Sequence, residues 1–343
     1  MGFFFNDNFR VHINLSNFAW NILNEDMFNF NRDDIDNLSG FINDIFLNFY
    51  QEANSSIAAR SDEISSNYEE LLSEKSISTK LDPSILYSVI DVVTDNYKKQ
   101  TIDVINGFPK EGYRKIKLRK NVASILEESD ESKYYDNNVG NYLKAIIEEY
   151  ARLSFLKREN IICKYNYDII NSALQTNKQI KISVRSGKEF EILPCKILTD
   201  KLGIFNYLVG IDAESRQPVS YRVSKAKMKL LSKSGKITPE LKSLISEKLS
   251  ISDVSFLTKD VTRIVIELDE YGIQKYNNQL HMRPNYIEVI DSNKYVFSCP
   301  IDQIKFYFLK FGSSAKVLEP VSLAKSFYKF YDYALRRYQE YSL

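Results

Sequence analysis

The chain has 343 residues, 44% of them hydrophobic and 13% aromatic, with only 11 glycines, so it has the length for two or three domains and the apolar content to build their cores. That composition excludes a disordered chain, and no apolar run reaches the roughly 18–20 residues of a membrane span. Cys163, Cys195 and Cys299 lie far apart without CxxC spacing, which fits reduced thiols and no zinc site. The first seven residues lack the basic stretch and apolar core of a signal peptide, and a soluble, cytoplasmic protein is expected.

Charge is distributed more tellingly than its total of +1. Residues 1–79 hold 13 acidic and 4 basic side chains, whereas residues 177–236 hold 13 Lys/Arg against 5 Asp/Glu. Such asymmetry predicts faces with different partners, an anionic one for the basic stretch.

In chain order, Phe9 to Leu15 alternates with period two and predicts a short strand, with Arg10, His12 and Asn14 outward. Ser16 is the predicted N-cap of a helix carrying Phe18, Ala19, Ile22 and Leu23. After the acidic connection Asp33–Asp36, a second helix opens near Ser39-Gly40 with Phe41, Ile45, Phe46 and Phe49 at helical spacing. The same order returns later. Ile13-Asn14-Leu15 and Ile22-Leu23 line up with Ile116-Lys117-Leu118 and Ile125-Leu126 at an offset of 103, and Ser39-Gly40 with Val139-Gly140 at an offset of 100. The second strand turns Lys115, Lys117 and Arg119 outward. Between the copies, Asp82-Pro83 opens a helix with Ile85, Leu86, Val89, Ile90 and Val93 on one face, expected to pack on the pair.

Strand–helix–helix units of this size resemble ribbon-helix-helix domains, in which two copies pair their strands into one antiparallel ribbon. Two copies in one chain imply an intramolecular pseudo-dimer, because a lone strand with two helices cannot bury its apolar faces. The resemblance implies that the outward ribbon residues contact DNA. The acidic load of residues 1–79 opposes that, and a purely structural ribbon is an equal expectation.

A helix near Tyr167–Asn177 leads into the basic stretch. There, Gln179–Arg185, Lys188–Lys196, Ile204–Asp212 and Val219–Arg222 predict strands, with Gly187 and Gly203 at turns. A last strand alternates Lys225, Lys227 and Lys229 with Ala226, Met228 and Leu230. Five short strands predict a small barrel without open edges. Lys181 and Arg185 share one side of their strand, and Glu189 and Glu191 are expected to balance Lys188. Thr238-Pro239 opens a helix out of the module. Beyond it, strands at Val261–Leu268, Tyr286–Ile290 and Tyr295–Cys299 and helices at Asp302–Phe311 and Leu323–Tyr341 predict a small α+β domain. The last helix carries Phe327, Tyr328, Phe330, Tyr331, Tyr333 and Leu335, more aromatic surface than one core face needs, and predicts a homodimer through this domain.

Phe205-Asn206-Tyr207-Leu208, followed after about a dozen residues by Tyr221-Arg222-Val223-Ser224-Lys225-Ala226, resembles a WYL domain, with Pro194 at the family's upstream proline. Asn206 stands where the family has Trp, Ser224 where it has Asp, and Lys225-Ala226 where it has Arg-Ile. Phe311-Gly312 to Val317-Leu318-Glu319-Pro320 resembles the domain that commonly follows WYL domains. Together with the ribbon, these features resemble the WYL accessory proteins of type VI-D CRISPR systems, which assist an RNA-guided, RNA-cutting effector and bind single-stranded RNA.

The resemblance implies a multidomain α+β protein. Its expected parts are a tandem ribbon-helix-helix-like domain (1–160, helical insert about 55–108), a small Sm-like β-barrel WYL domain (161–250) and a C-terminal α+β domain (251–343). The expected nucleic-acid-binding residues are Tyr207, Arg222, Lys225, Lys227, Lys229, Arg185, Lys181, Asn206 and Tyr221, with Tyr207 stacking a base and the lysines following the backbone. Arg222 could instead form a surface ion pair with Asp212 or Glu214. No Gly-rich phosphate loop, HExxH or Cys/His cluster is present, so no enzyme, cofactor or metal is expected. A ligand-responsive DNA-binding regulator and an assembly protein docking through Asp33, Asp34 and Asp36 are the alternatives.

Overall fold

A computed structural model describes residues 9–30, 37–74, 85, 88, 89, 92, 93, 96, 107–110, 112–129, 135, 138–184, 186–201 and 203–339. The chain divides into two compact units, Met1–Lys164 and Tyr165–Leu343. Among the described residues no helix is long and apolar enough to cross a membrane.

In the first unit β1 (Arg10–Ile13) and β2 (Arg114–Lys117) pair antiparallel as a two-stranded ribbon. β1 is followed by α1 (Asn17–Asn29) and α2 (Leu38–Glu74), and β2 by α3 (Lys120–Glu128), α4 (Val139–Arg152) and α5 (Phe155–Ile162). His12 stands opposite Lys115 in the register. These are equivalent positions at the offset of 103, so a local two-fold passes between them. Val11, Ile13 and Ile116 face inward and are buried, which is the apolar pressure that pairs the two copies within one chain.

The core lies between α2, through Phe41, Ile42, Ile45, Phe46 and Phe49, and α4, through Tyr142, Leu143, Ile146, Ile147 and Tyr150. Helix α4 is buried almost all round, with its charged residues Lys144, Glu148 and Glu149 included. Glu148 accepts from both the backbone N–H and the hydroxyl of Ser16, each at 2.7 Å. Lys144 donates to Asn14 at 3.2 Å, and burial pushes its ammonium below the ordinary lysine range, with Lys110 adding to the shift. Ser16 also caps α1, accepting from Ala19 N–H at 3.1 Å, as its position before the apolar run predicts. Ser16→Ala should therefore cost about 2 kcal/mol, because it removes a cap and one partner of a buried carboxylate. Urea unfolding tests this, and an unchanged midpoint would contradict the double role.

Helix α2 runs on to Glu74, well past the expected start of the insert near residue 55. The described insert residues Ile85, Ser88, Val89, Val92, Val93 and Asn96 are helical; Ile85 and Val89 are exposed and Val93 is half-buried. Asp33, Asp34 and Asp36, together with Leu86 and Ile90, lie outside the described residues.

In the second unit α6 (Lys164–Thr176) leads into β3 (Lys178–Val184), β4 (Glu189–Thr199), β5 (Asn206–Asp212), β6 (Pro218–Arg222) and β7 (Ala226–Ser234). Their order is β6-β5-β4-β3-β7, so the expected closed barrel is not formed; the sheet is open, with β6 and β7 at its edges. The reason lies at the β6 edge. Ser220 N–H donates to Thr258 Oγ1 at 3.1 Å, Thr258 Oγ1 donates back to Ser220 O at 3.0 Å, and Ser220 Oγ donates to Val254 O at 2.6 Å. These bonds occupy the edge that a closing β7 would need. The sheet still curls. Only the 3-10 turn Val223–Lys225 joins the two edge strands, a reach of about 14 Å against about 19 Å across five flat strands. Asn166 of α6 holds that turn, donating to Val223 O and Ala226 O at 2.9 and 2.8 Å.

Gly187 and Gly203 take positive φ at the predicted turns. Pro194 sits opposite Gly210 beside a bulge at Cys195, and a Cβ at Gly210 would run into the Leu193 carbonyl. One face of the sheet is covered by α7 (Pro239–Ile251), with Leu193, Val209, Ile211 and Ile245 at the contact.

The remaining elements are β8 (Val261–Leu268), α8 (Glu270–Asn278), β9 (Tyr286–Ile290), β10 (Lys294–Pro300), α9 (Ile301–Phe308), β11 (Ala315–Glu319) and α10 (Val321–Tyr338). The antiparallel order β11-β8-β10-β9 with helices on one face is the split βαβ arrangement. Its core joins Ile264, Ile266, Leu268 and Phe297 to Tyr307, Phe308, Leu323 and Phe327. All three cysteines are free thiols. Burial pushes Cys299 up to about 12, Cys163 is also buried, and Cys195 is half-exposed. One thiol, Cys195, should react with a maleimide in the native protein, and mass-mapped labelling of Cys299 under those conditions would contradict the packing.

Candidate nucleic-acid interface

The two halves of the aromatic–Arg motif are brought together by the β5–β6 ladder, in which Tyr207 faces Arg222 and Leu208 faces Tyr221. Alternation sends the members to opposite sides of the sheet. Tyr207 and Arg222 share one side. The Arg222 guanidinium lies over the Phe205 ring, 3.2 Å from its centroid, and its Nε donates to Ser224 Oγ at 2.9 Å. The guanidinium plane is thus set by a ring beneath it and a hydroxyl at its edge. Asp212 caps its own turn, accepting from Glu214 and Ser215 N–H. Tyr207 is half-buried and packs against the Leu193–Val209–Ile211 core.

Asn206 and Tyr221 point to the interior side. Asn206 is buried, accepting from Thr199 Oγ1 and donating to Tyr167 OH, both at 2.8 Å, so the residue at the family's Trp position fastens α6 to the sheet. The Tyr221 ring lies 5.5 Å from that of Phe190, and burial followed by the nearby Asp212 charge pushes its hydroxyl up to about 12.

The lysine row is where alternation places it. Ala226 and Met228 are buried, Lys227 and Lys229 are exposed on the edge strand, and Lys225 is exposed at the end of the 3-10 turn that leads into it. Lys181 on β3 stands opposite Lys229, which extends the row inward, but it also pairs with Glu189 at 2.5 Å. Glu191 pairs with Lys233 at 2.7 Å. The two glutamates therefore balance Lys181 and Lys233, not Lys188 as expected. Arg185 lies outside the described residues.

On the ribbon, Arg10, His12, Lys115 and Lys117 are exposed on its outer face, where the register sets Arg10 against Lys117 and His12 against Lys115. Two of the expected contacts are engaged elsewhere. Asn14 is half-buried and accepts from Lys144, and Arg119 forms an ion pair with Asp44. The β10 rings Tyr295 and Phe297 turn toward the helices and are buried. Among the described residues no group of three His, Cys, Asp or Glu side chains is placed to hold a metal.

No protein-family model and no curated protein matches the chain. Among solved structures it is similar to the crystal structure of a CRISPR Cas-related protein, with a TM-score of 0.71 and 20% identity over 97% of this chain and 95% of that one. The likeness shows that the two share a fold. Proteasome accessory factor B/C (PafBC) of Arthrobacter aurescens aligns over 66% of this chain and 37% of that one, with a TM-score of 0.31 and 14% identity, too low to argue from.

Proposed function

We propose that the chain is a non-enzymatic accessory protein of an RNA-targeting CRISPR system that binds single-stranded RNA and modulates the effector. The shared fold with a CRISPR Cas-related protein supports the accessory role. The observation that carries RNA binding is the exposed row Lys225, Lys227 and Lys229, running from the turn beside Arg222 along the edge of an otherwise paired sheet. Phosphates follow the lysines, and Arg222, held flat on Phe205, meets a phosphate or base edge. The Arg222→Ala, Lys225→Ala double variant, assayed with unstructured RNA across salt, tests this; unchanged affinity and slope would sink it.

A second reading, a DNA-binding regulator, is favoured by one observation: the ribbon is complete within one chain and turns Arg10, His12, Lys115 and Lys117 outward. Duplex DNA binding lost on Lys115→Ala, Lys117→Ala would support it.

In the leading reading two copies associate through α10, where Tyr328, Phe330, Tyr333 and Leu335 are exposed while Phe327 and Leu323 serve the domain's own core. Light scattering at micromolar concentration is expected to give twice the chain mass, and a monomer would refute this part.

A further inference from the structure

The two-fold relation of the ribbon is broken in its charges. Lys117, Arg119 and Lys120 of the second copy correspond, at the offset of 103, to Asn14, Ser16 and Asn17 of the first. The end where β2 runs into α3 therefore gathers three cations, and Arg10 joins them from across the ladder. All four are exposed, and the three on the second copy border an open cleft of about 670 Å³. Arg119 is the one that also pairs with Asp44.

The opposite end is built differently. Asn14 accepts from the buried Lys144, and Ser16 gives both of its donors to Glu148. Besides the outward Lys115, the described cations at this end are Arg114, which lies over the Trp20 ring at 5.2 Å, and the half-buried Lys110, bridged to Ser16. Neither stands on the outer face.

A ribbon seated in a duplex groove has a phosphate backbone along each flank, and both of its ends must meet phosphate. A single strand presents one backbone and needs one cationic end. We propose that the cationic end formed by Arg10, Lys117, Arg119 and Lys120 is a phosphate track for one nucleic-acid strand, so that the first unit is a second single-strand contact and not a reader of palindromic duplex. This rests on the reading of the chain as a binder of single-stranded RNA. The positive charge is local on the first copy, where Arg10 is one of 4 basic side chains against 13 acidic ones in residues 1–79.

The test uses the full chain, a fluorescent 20-nucleotide poly-uridine and a 20-base-pair duplex DNA, titrated from about 50 to 300 mM salt. Lys117→Gln with Lys120→Gln is expected to weaken poly-uridine binding about tenfold and to lower the slope of log K against log salt by about 1.4. Lys227→Gln with Lys229→Gln, in the second unit, is the parallel variant. If it weakens poly-uridine binding while the ribbon pair does not, the second track is overturned and the RNA reading stands. If neither pair has an effect, or poly-uridine does not bind, both fall. Duplex held more tightly than poly-uridine, and released by Lys115→Gln as well as by the ribbon pair, would overturn the track in favour of a groove reader.

Discussion

Replacing Arg222 and Lys225 together by alanine is expected to lower affinity for unstructured RNA about a hundredfold and to flatten its salt dependence by about 1.4 in log–log slope. The loss should exceed that of two ordinary surface cations. Arg222 is already oriented, its plane resting on Phe205 and its Nε held by Ser224, so little rotamer freedom remains to be lost on binding. Arg222→Lys separates charge from geometry. It keeps the cation and the salt slope but loses the planar fork, and should recover only part of the affinity. Full recovery by lysine would show that the ring beneath Arg222 serves packing alone. Circular dichroism of each variant, unchanged in shape, separates lost binding from lost folding.

The second large effect concerns stability. Asp26 on α1 is fully buried and receives Arg158 Nε at 2.6 Å, Arg158 NH2 at 3.2 Å and Tyr150 OH at 2.7 Å. Arg158 comes from α5 and also donates to Leu153 O at 2.6 Å, so one guanidinium ties α5 to α1 and to the residue that closes α4. Arg158→Ala should destabilise that unit by about 3–5 kcal/mol, because it leaves a buried carboxylate without its counter-charge. Burial already holds the Asp26 carboxyl above the ordinary carboxylate range, against the downward pull of Arg158 and Tyr150. Removing Arg158 raises it further. A raised acid keeps its proton in the folded state at a pH where the unfolded chain has released it. Its contribution is therefore fully present below about pH 3.9 and is lost as pH rises through the folded value. The deficit of Arg158→Ala should accordingly be larger at pH 8 than at pH 5 in urea unfolding, and the opposite trend would contradict the assignment.

Features carried by local periodicity were legible in the sequence. The alternation of Phe9–Leu15 and its echo at Ile116 placed both ribbon strands, and the Ser16 cap and the Lys225–Lys229 row stand where spacing put them. Helix α8 leaves little trace in the sequence although Asp269 caps it, accepting from Gly272 N–H at 2.7 Å, because a nine-residue helix between strands has only two turns of pattern. Strand β11 lies inside the Phe311–Pro320 motif, which marks the segment without marking it as a strand. What spacing could not show depends on partners distant in sequence. The Thr258 hydroxyl that occupies the β6 edge lies 38 residues from Ser220, and Arg158 lies 132 from Asp26. Asn206 is expected among the nucleic-acid contacts from its place in a motif, and its amide bonds to Thr199 and Tyr167 inside the fold.

The measurement that bears most directly on the central claim is the affinity of the full chain for poly-uridine and for duplex DNA of equal length, each followed across salt. The account predicts tighter binding of the single strand at every salt concentration, with a negative log–log slope of about 2 or more for at least three engaged phosphates. A preference for duplex, or an affinity for RNA that does not respond to salt, would contradict it.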